Sequence, residues 1–330
     1  MRSVPIIDIS SFRNATDKLS VAAKVAAACE NIGFLVVTGH GIDPALLRRC
    51  MAAMSEFFAL STETKRQYIS PDPSVFRGYF PMDEYALAAA EGDKGARPDL
   101  RESYCVQRVD IDRTDPYYAS AEAKAYYAPN IWPSSEDAPD FRAAFGDYYR
   151  AMERLSADMM ALFALALGLP ENFFADKINH HMTNLVAFHY PPLTRAPQAG
   201  QMRGGAHTDF GSLSIVYGEP SIKGLQVKLD GTWYDVPDVP GGFVINIGDL
   251  MAQWTNDKWV STWHRVANPP REEWSRGRNT LIFFHSPNYD AEIECLPLCA
   301  TPDRPPRYPS ETAAQHLMRK MRAMSVNAAQ

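Results

Sequence analysis

The stretch Gly204–Leu213, GGAHTDFGSL, sets His207 and Asp209 two residues apart in a run bracketed by glycines. In a β-strand, residues i and i+2 project to the same face. Read as a strand, this segment aims an imidazole and a carboxylate together at the interior or mouth of a β core. Desolvating a carboxylate is costly, so the pair needs a reason to exist. Either the two groups hydrogen-bond to each other on a surface strand, or they hold something between them.

The neighbouring sequence favours a β core. Short apolar runs split by glycine and proline occupy residues 185–188, 212–217, 225–229, 233–236, 243–247, 261–266 and 280–284. Asp230-Gly231 between two of them is a hairpin signal, and Pro240-Gly241-Gly242 is a second turn. Many short strands at this spacing predict a sandwich or barrel. The N-terminal part is different. Residues 4–9 read as an edge strand, 15–31 as an amphipathic helix and 34–38 as a buried strand. Asp43-Pro44 caps a helix running to about Phe58, and 140–167 form a long helix ended by Gly168 and Pro170. Residues 71–101 read as irregular. Ser310–Met324 reads as a closing helix with a serine cap and Glu311 in its first turn.

A second histidine gives His207 and Asp209 a chemical purpose. His264, in Ser261-Thr-Trp-His-Arg-Val266, lies in another predicted strand. Two histidines and one carboxylate can occupy one face of a metal octahedron and leave the other face open, which is the non-haem Fe(II) oxygenase arrangement. Arg278 and Thr280 again stand at i and i+2, just before an apolar run. A guanidinium fork beside a hydroxyl suits a carboxylate, and Tyr190 can add a phenol. His40, His180, His181, His285 and His316 have no partner at metal-ligand spacing, and His189 reads as structural.

Bulk composition narrows the field. The chain has 330 residues, 46% of them hydrophobic, and a net charge of −6, so no basic face invites nucleic acid or an anionic membrane. Its five cysteines form no C-x-x-C pair, against a zinc knuckle or redox dithiol. No run approaches the roughly 20 apolar residues of a membrane span, and the N-terminus does not read as a signal peptide. The expected setting is cytoplasmic, with a small-molecule partner, no nucleic acid and no membrane.

Taken in order, the motifs resemble the isopenicillin N synthase-like branch of the 2-oxoglutarate/Fe(II)-dependent dioxygenases. The matching pieces are Val4-Pro-Ile-Ile-Asp8, Gly33–Ile42, Asp99-Leu-Arg-Glu-Ser-Tyr104, His189-Tyr-Pro191, Gly205–Ser212, Gly224-Leu-Gln-Val227, Asn246-Ile-Gly-Asp249, Ser261–Val266 and Arg278-Asn-Thr280. The resemblance implies a mainly β fold, a distorted double-stranded β-helix (jelly roll) with flanking helices. It divides the chain into an N-terminal region (1–125) within the same compact unit, a jelly-roll core (180–290) and a C-terminal extension with a helix (291–330). It implies Fe(II) on His207, Asp209 and His264. It also implies 2-oxoglutarate on Arg278, Thr280 and Tyr190, with threonine where the family's R-x-S motif has serine, and O2 as the oxidant. The implied reaction couples oxidative decarboxylation of 2-oxoglutarate, to succinate and CO2, with C–H oxidation of a small organic substrate. The alternative is an oxidative cyclase of the isopenicillin N synthase type, with the substrate's carboxylate on Arg278. Selectivity is expected from Arg77, Tyr79, Arg101 and Tyr104, with Arg77 or Arg101 meeting a substrate carboxylate or else paired with Glu84 or Glu102. Phe210 and Phe284 are expected to wall the site.

Overall fold

Strand-by-strand burial explains why the apolar runs show so little alternation. The computed structural model describes residues 3–82, 86–93, 95–219 and 223–328, so Glu84 lies outside the described residues. Among the described residues, twelve strands form the two main sheets, and Glu292–Ile293 pairs with Glu311–Thr312 in a small third one. In chain order the twelve are β1 (Ile6–Asp8), β2 (Phe34–Thr38), β3 (Gly78–Phe80), β4 (Glu102–Gln107), β5 (Asn184–Tyr190), β6 (Gly204–His207), β7 (Leu213–Gly218), β8 (Leu225–Leu229), β9 (Thr232–Asp235), β10 (Phe243–Ile247), β11 (His264–Val266) and β12 (Arg278–His285). The major sheet has eight strands in the order β1-β2-β10-β7-β12-β5-β4-β3, and the minor sheet has four, β6-β11-β8-β9.

The major sheet is covered on both faces. Leu35, Val37, Ile215, Ile245, Leu281 and Phe283 turn to a core shared with the helices Lys18–Asn31, Pro44–Ala59 and Phe141–Ala166. Their neighbours Phe34, Val36, Val186 and Phe188 turn the other way and pack against Val227, Leu229 and Val266 of the minor sheet. A strand buried on both sides has no polar face, so its sequence is a continuous apolar run. The space between the sheets is the jelly-roll interior, and β6 and β11 line it.

The N-terminal strands β1 to β4 are part of the major sheet, paired through β2–β10 and β4–β5. Sequence reading took 71–101 as irregular and gave no strand to 102–107. Both β3 and β4 exist because they pair with each other and with β5. Three residues such as Gly78–Phe80 are too few to show periodicity. The closing helix also starts later than expected. Ser310 and Glu311 precede it, and the helix runs Ala313–Ala328 behind a reciprocal cap in which Thr312 Oγ1 accepts from the Gln315 N–H and Gln315 Oε1 from the Thr312 N–H. All five cysteines are free thiols. Among the described residues no helix is long and apolar enough to cross a membrane.

One buried ion pair joins the helical layer to β4. Lys65 Nζ lies 2.9 Å from both Glu102 carboxylate oxygens, with the Tyr79 hydroxyl donating to the same carboxylate. Removing one partner of a buried pair strands the other charge. Glu102→Gln should therefore lower unfolding free energy by about 3 kcal/mol, measured as a drop in the urea midpoint at unchanged slope.

Candidate active site

The metal-ligand cluster is built from a strand end, a turn and a facing strand. His207 is the last residue of β6 and pairs directly with His264 of β11. The strand is shorter than expected and Asp209 lies just past its end, yet the carboxylate and the His207 imidazole still point to one place. The carboxylate lies beside two imidazoles that face each other across a strand pair. Asp209 Oδ1 is 3.6 Å from His207 Nε2 and 3.6 Å from His264 Nε2. The three ligand atoms lie within 4.8 Å of one another.

Hydrogen bonds leave one lone pair per residue aimed at the common centre. His207 Nδ1 is 2.8 Å from the Gly205 carbonyl, and His264 Nδ1 is 3.1 Å from the Thr262 carbonyl. A carbonyl only accepts, so each Nδ1 carries the proton and each Nε2 is free to ligate. The outer carboxylate oxygen, Asp209 Oδ2, accepts from Ser214 Oγ at 2.5 Å and from Asn246 Nδ2 at 2.7 Å. Phe34 packs edge-on against His264, with ring centroids 5.3 Å apart.

The electrostatics are those of a site waiting for a cation. Burial, followed by the neighbouring His264, pulls the His207 imidazole down to about 3, so it stays neutral. Burial also works against a charged His264, but the Asp209 carboxylate outweighs it and raises that imidazole. For Asp209, burial alone would favour the neutral acid. The nearby His264, then His207 and the Ser214 hydrogen bond, more than compensate and hold the carboxyl low. A divalent cation can sit between the free Nε2 atoms and Asp209 Oδ1 and neutralise the buried carboxylate.

A second feature is a buried donor set with nothing to bind. Arg278 is 6% exposed and Thr280 2%, yet Arg278 Nε and Nη1 and Thr280 Oγ1 have no hydrogen-bond partner. Orphaned buried donors are rare and call for a ligand. The guanidinium carbon lies 5.2 Å from the Tyr190 ring centroid, and Arg278 and Tyr190 are direct cross-strand partners. On the other flank is Gly218, where a Cβ would come within 3.4 Å of Arg278 Nη2 and 3.8 Å of Thr280 Oγ1. The missing side chain keeps space open in front of the clamp.

Of the residues expected to select substrate, the structure brings some to the site and takes others away. Phe284 stands on the interior face, edge-on to Phe188. Phe210 follows Asp209 and lies beneath Lys320, whose Nζ is 5.4 Å from its ring centroid. Arg101 enters the interior, with its guanidinium carbon 4.1 Å from the Phe188 ring centroid. Arg77 is held by the protein's own acceptors. It is 2% exposed, and its guanidinium donates to Gln107, Asn184 and the carbonyls of Phe76 and Tyr126. Tyr79 and Tyr104 are likewise held, and both face the helical layer. Tyr79 bonds Glu102, Tyr104 donates to the Ile131 carbonyl, and both rings pack against Phe57. The aromatic residues on the interior face near them are Phe76 and Phe80.

Sequence reasoning missed Ser214, Asn246 and Arg203. Asn246 was visible inside Asn246-Ile-Gly-Asp249, but its role depends on β10 lying beside β7. Arg203, 1% exposed, donates to the Pro191 and Arg276 carbonyls and adds positive charge beside Arg278. Nothing in the sequence marked it.

Comparison with known proteins agrees with this geometry. Residues 181–287 match the 2OG-Fe(II) oxygenase superfamily, and residues 4–135 match the non-haem dioxygenase N-terminal family named for morphine synthesis. The chain belongs to the 2OG-Fe(II) oxygenase superfamily. It is 35% identical over 316 residues to a 2-oxoglutarate-Fe(II) type oxidoreductase of Emericella nidulans, covering 93% of this chain and 86% of that one. It is 32% identical over 304 residues to the validamycin A dioxygenase of Streptomyces hygroscopicus subsp. limoneus, covering 90% and 80%. A solved 2OG-Fe(II) oxygenase family protein from Caulobacter crescentus superposes with a TM-score of 0.84 at 31% identity over 98% of this chain and 99% of that one. A Neurospora crassa protein solved with alpha-KG and thymine gives a TM-score of 0.82 at 27% identity over 98% and 97%. The enzyme is thus a 2-oxoglutarate- and Fe(II)-dependent oxygenase using O2, and the 2-oxoglutarate-independent cyclase reading is set aside.

The two hydrogen bonds to Asp209 Oδ2 orient the carboxylate. Asn246→Ala should weaken Fe(II) binding about tenfold, Ser214→Ala should act in the same direction, and the pair together should exceed either alone. Anaerobic equilibrium dialysis reads all three.

Proposed function

We propose that this enzyme binds Fe(II) through His207, Asp209 and His264, holds the far carboxylate of 2-oxoglutarate on Arg278, Thr280 and Tyr190, and hydroxylates a small organic molecule. The observation that carries the reading is the buried, unpaired donor set at Arg278 and Thr280 facing the gap left by Gly218. A carboxylate placed there can take one edge of the guanidinium fork together with the Thr280 hydroxyl. The Nε2 atoms of the two histidines and Oδ1 of Asp209 suit Fe(II), and one carboxylate leaves the metal cationic toward a 2-oxo acid.

Bound iron, 2-oxoglutarate and O2 together supply the oxidant, with succinate and CO2 as co-products. The chain contributes placement and exclusion. Ser214 and Asn246 keep Asp209 Oδ2 occupied, so that only Oδ1 faces the centre. Phe34 and the apolar cluster of Val186, Phe188 and Val266 keep bulk water from the inner wall. The substrate space is bounded by Phe76, Phe80, Phe188 and Phe284, in place of the Arg77, Tyr79 and Tyr104 set. Action on small molecules is in keeping with relatives named for validamycin A and homoarginine, and with the thymine complex of the Neurospora crassa protein.

The deciding experiment is anaerobic visible absorption of metal-free protein given Fe(II) and then 2-oxoglutarate. A charge-transfer band that disappears in His207→Ala is expected. Iron binding without a band would overturn the assignment of Arg278, Thr280 and Tyr190 to 2-oxoglutarate. In steady state, Arg278→Ala should raise the 2-oxoglutarate KM about 100-fold, since it removes one side of a buried charge-assisted pair. Thr280→Val, losing one hydroxyl, should raise it about fivefold, and Thr280→Ser should leave it near wild type.

A further inference from the structure

We propose that Arg101 anchors the primary substrate and that this substrate is a small carboxylic acid with an apolar, ring-like body. The proposal rests on the co-substrate reading above, which already commits Arg278. Arg101 directly precedes β4, on the strand face of Ser103 and Cys105 that looks into the jelly-roll interior. In the sheet order β12-β5-β4 it stands two strands away from the Arg278 clamp. One cation is therefore available for each of two anions.

Arg101 is poorly satisfied by the protein. Its side chain is 11% exposed, and its ion-pair partner among the described residues is Asp99, at 3.4 Å. That separation is longer than a good charge-assisted hydrogen bond. Asp99 is also committed elsewhere, accepting from the Gly205 N–H at 2.9 Å and the Leu87 N–H at 3.1 Å. No protein acceptor among the described residues bonds Arg101 Nε or Nη1. What fixes the side chain is the face of Phe188, 4.1 Å below the guanidinium carbon, which leaves the planar donor edge free. Its partner Asp99 accepts from the N–H of Gly205 in β6, two residues before His207, which ties Arg101 to the strand that carries the metal cluster.

Among the described residues, the side chains clustered around Phe188 on the interior face are mostly apolar. Phe76, Phe80, Phe188, Phe284, Val186 and Ile282 present rings and aliphatic carbon, and the Phe76 and Phe80 rings lie 4.3 Å apart. An apolar body packs on such walls and a polyhydroxylated one does not. A carboxylate on Arg101 then sets which carbon of that body lies over the cluster.

The test uses full-length enzyme loaded anaerobically with Fe(II) and 2-oxoglutarate, titrated calorimetrically with matched acid and primary-amide pairs. The probes are phenylacetate, 3-phenylpropanoate and cyclohexylacetate with their amides, and the charge-transfer band is followed to show that 2-oxoglutarate stays bound. The expected result is at least one acid binding about tenfold or more tighter than its amide. In Arg101→Gln, with the band retained, that ratio should collapse to within about twofold, while Arg101→Lys should keep an intermediate ratio. Equal ratios in wild type and Arg101→Gln would overturn the proposal. So would binding of no acid to an enzyme whose band is intact. If Arg101→Gln does not fold, Arg101→Lys carries the same comparison, and an unchanged ratio there overturns it. Absence of the band in wild-type enzyme is a separate result: it removes the co-substrate reading, and this proposal falls with it.

Discussion

The constraint on which the active site depends is the burial of one carboxylate. Asp209 is 5% exposed, and its charge is supported there by two hydrogen bonds to one oxygen and by the two imidazoles beside the other. Ser214 and Asn246, from two adjacent strands of the major sheet, take Oδ2. The two imidazoles of the minor sheet flank Oδ1. One side chain therefore ties the two sheets together at the place where chemistry is to happen. The histidine tautomers follow from the same economy, since their Nδ1 atoms are spent on backbone carbonyls.

Around this centre the fold closes a polar ring. The Thr208 hydroxyl, between the two β6-side ligands, lies 3.2 Å from both Glu91 and Asp249. Asp249 is ion-paired with Lys320 of the C-terminal helix, and Lys320 also covers Phe210. The short helix Leu87–Ala90 packs so tightly on β6 that a Cβ at Gly205 would lie 2.9 Å from that of Ala88. Segments far apart in sequence thus meet over the iron-binding turn. A displacement of any of them would reach the ligands directly.

The two faces of the major sheet explain which side chains were correctly placed and which were not. Tyr104 and Arg101 are close in sequence, yet one is packed on Phe57 and Phe141 and the other enters the interior. Strand parity separates them. Parity becomes a statement about inside and outside only once the β3–β4–β5 register is known, because a one-residue slip would exchange the faces. Both faces are apolar, so hydropathy gave no clue to the sign. Arg77 and Arg101 looked equivalent for the same reason, and the difference lies in whether the protein supplies their acceptors.

What the sequence by itself determined was chemical identity and order. His207, Asp209, His264, Arg278 and Thr280 are each the residue type their chemistry requires, and they stand beside glycine and apolar runs that force short strands. The flanking helices were legible too, because caps and a 3.6-residue period are local signals. Tertiary structure alone decided where β6 ends before Asp209, the partners Ser214 and Asn246, the existence of β3 and β4, and the face on which Arg101 stands. Each of these depends on pairing between distant segments. Such pairing is settled by the burial of two faces of one sheet together, a property that no local window of sequence contains.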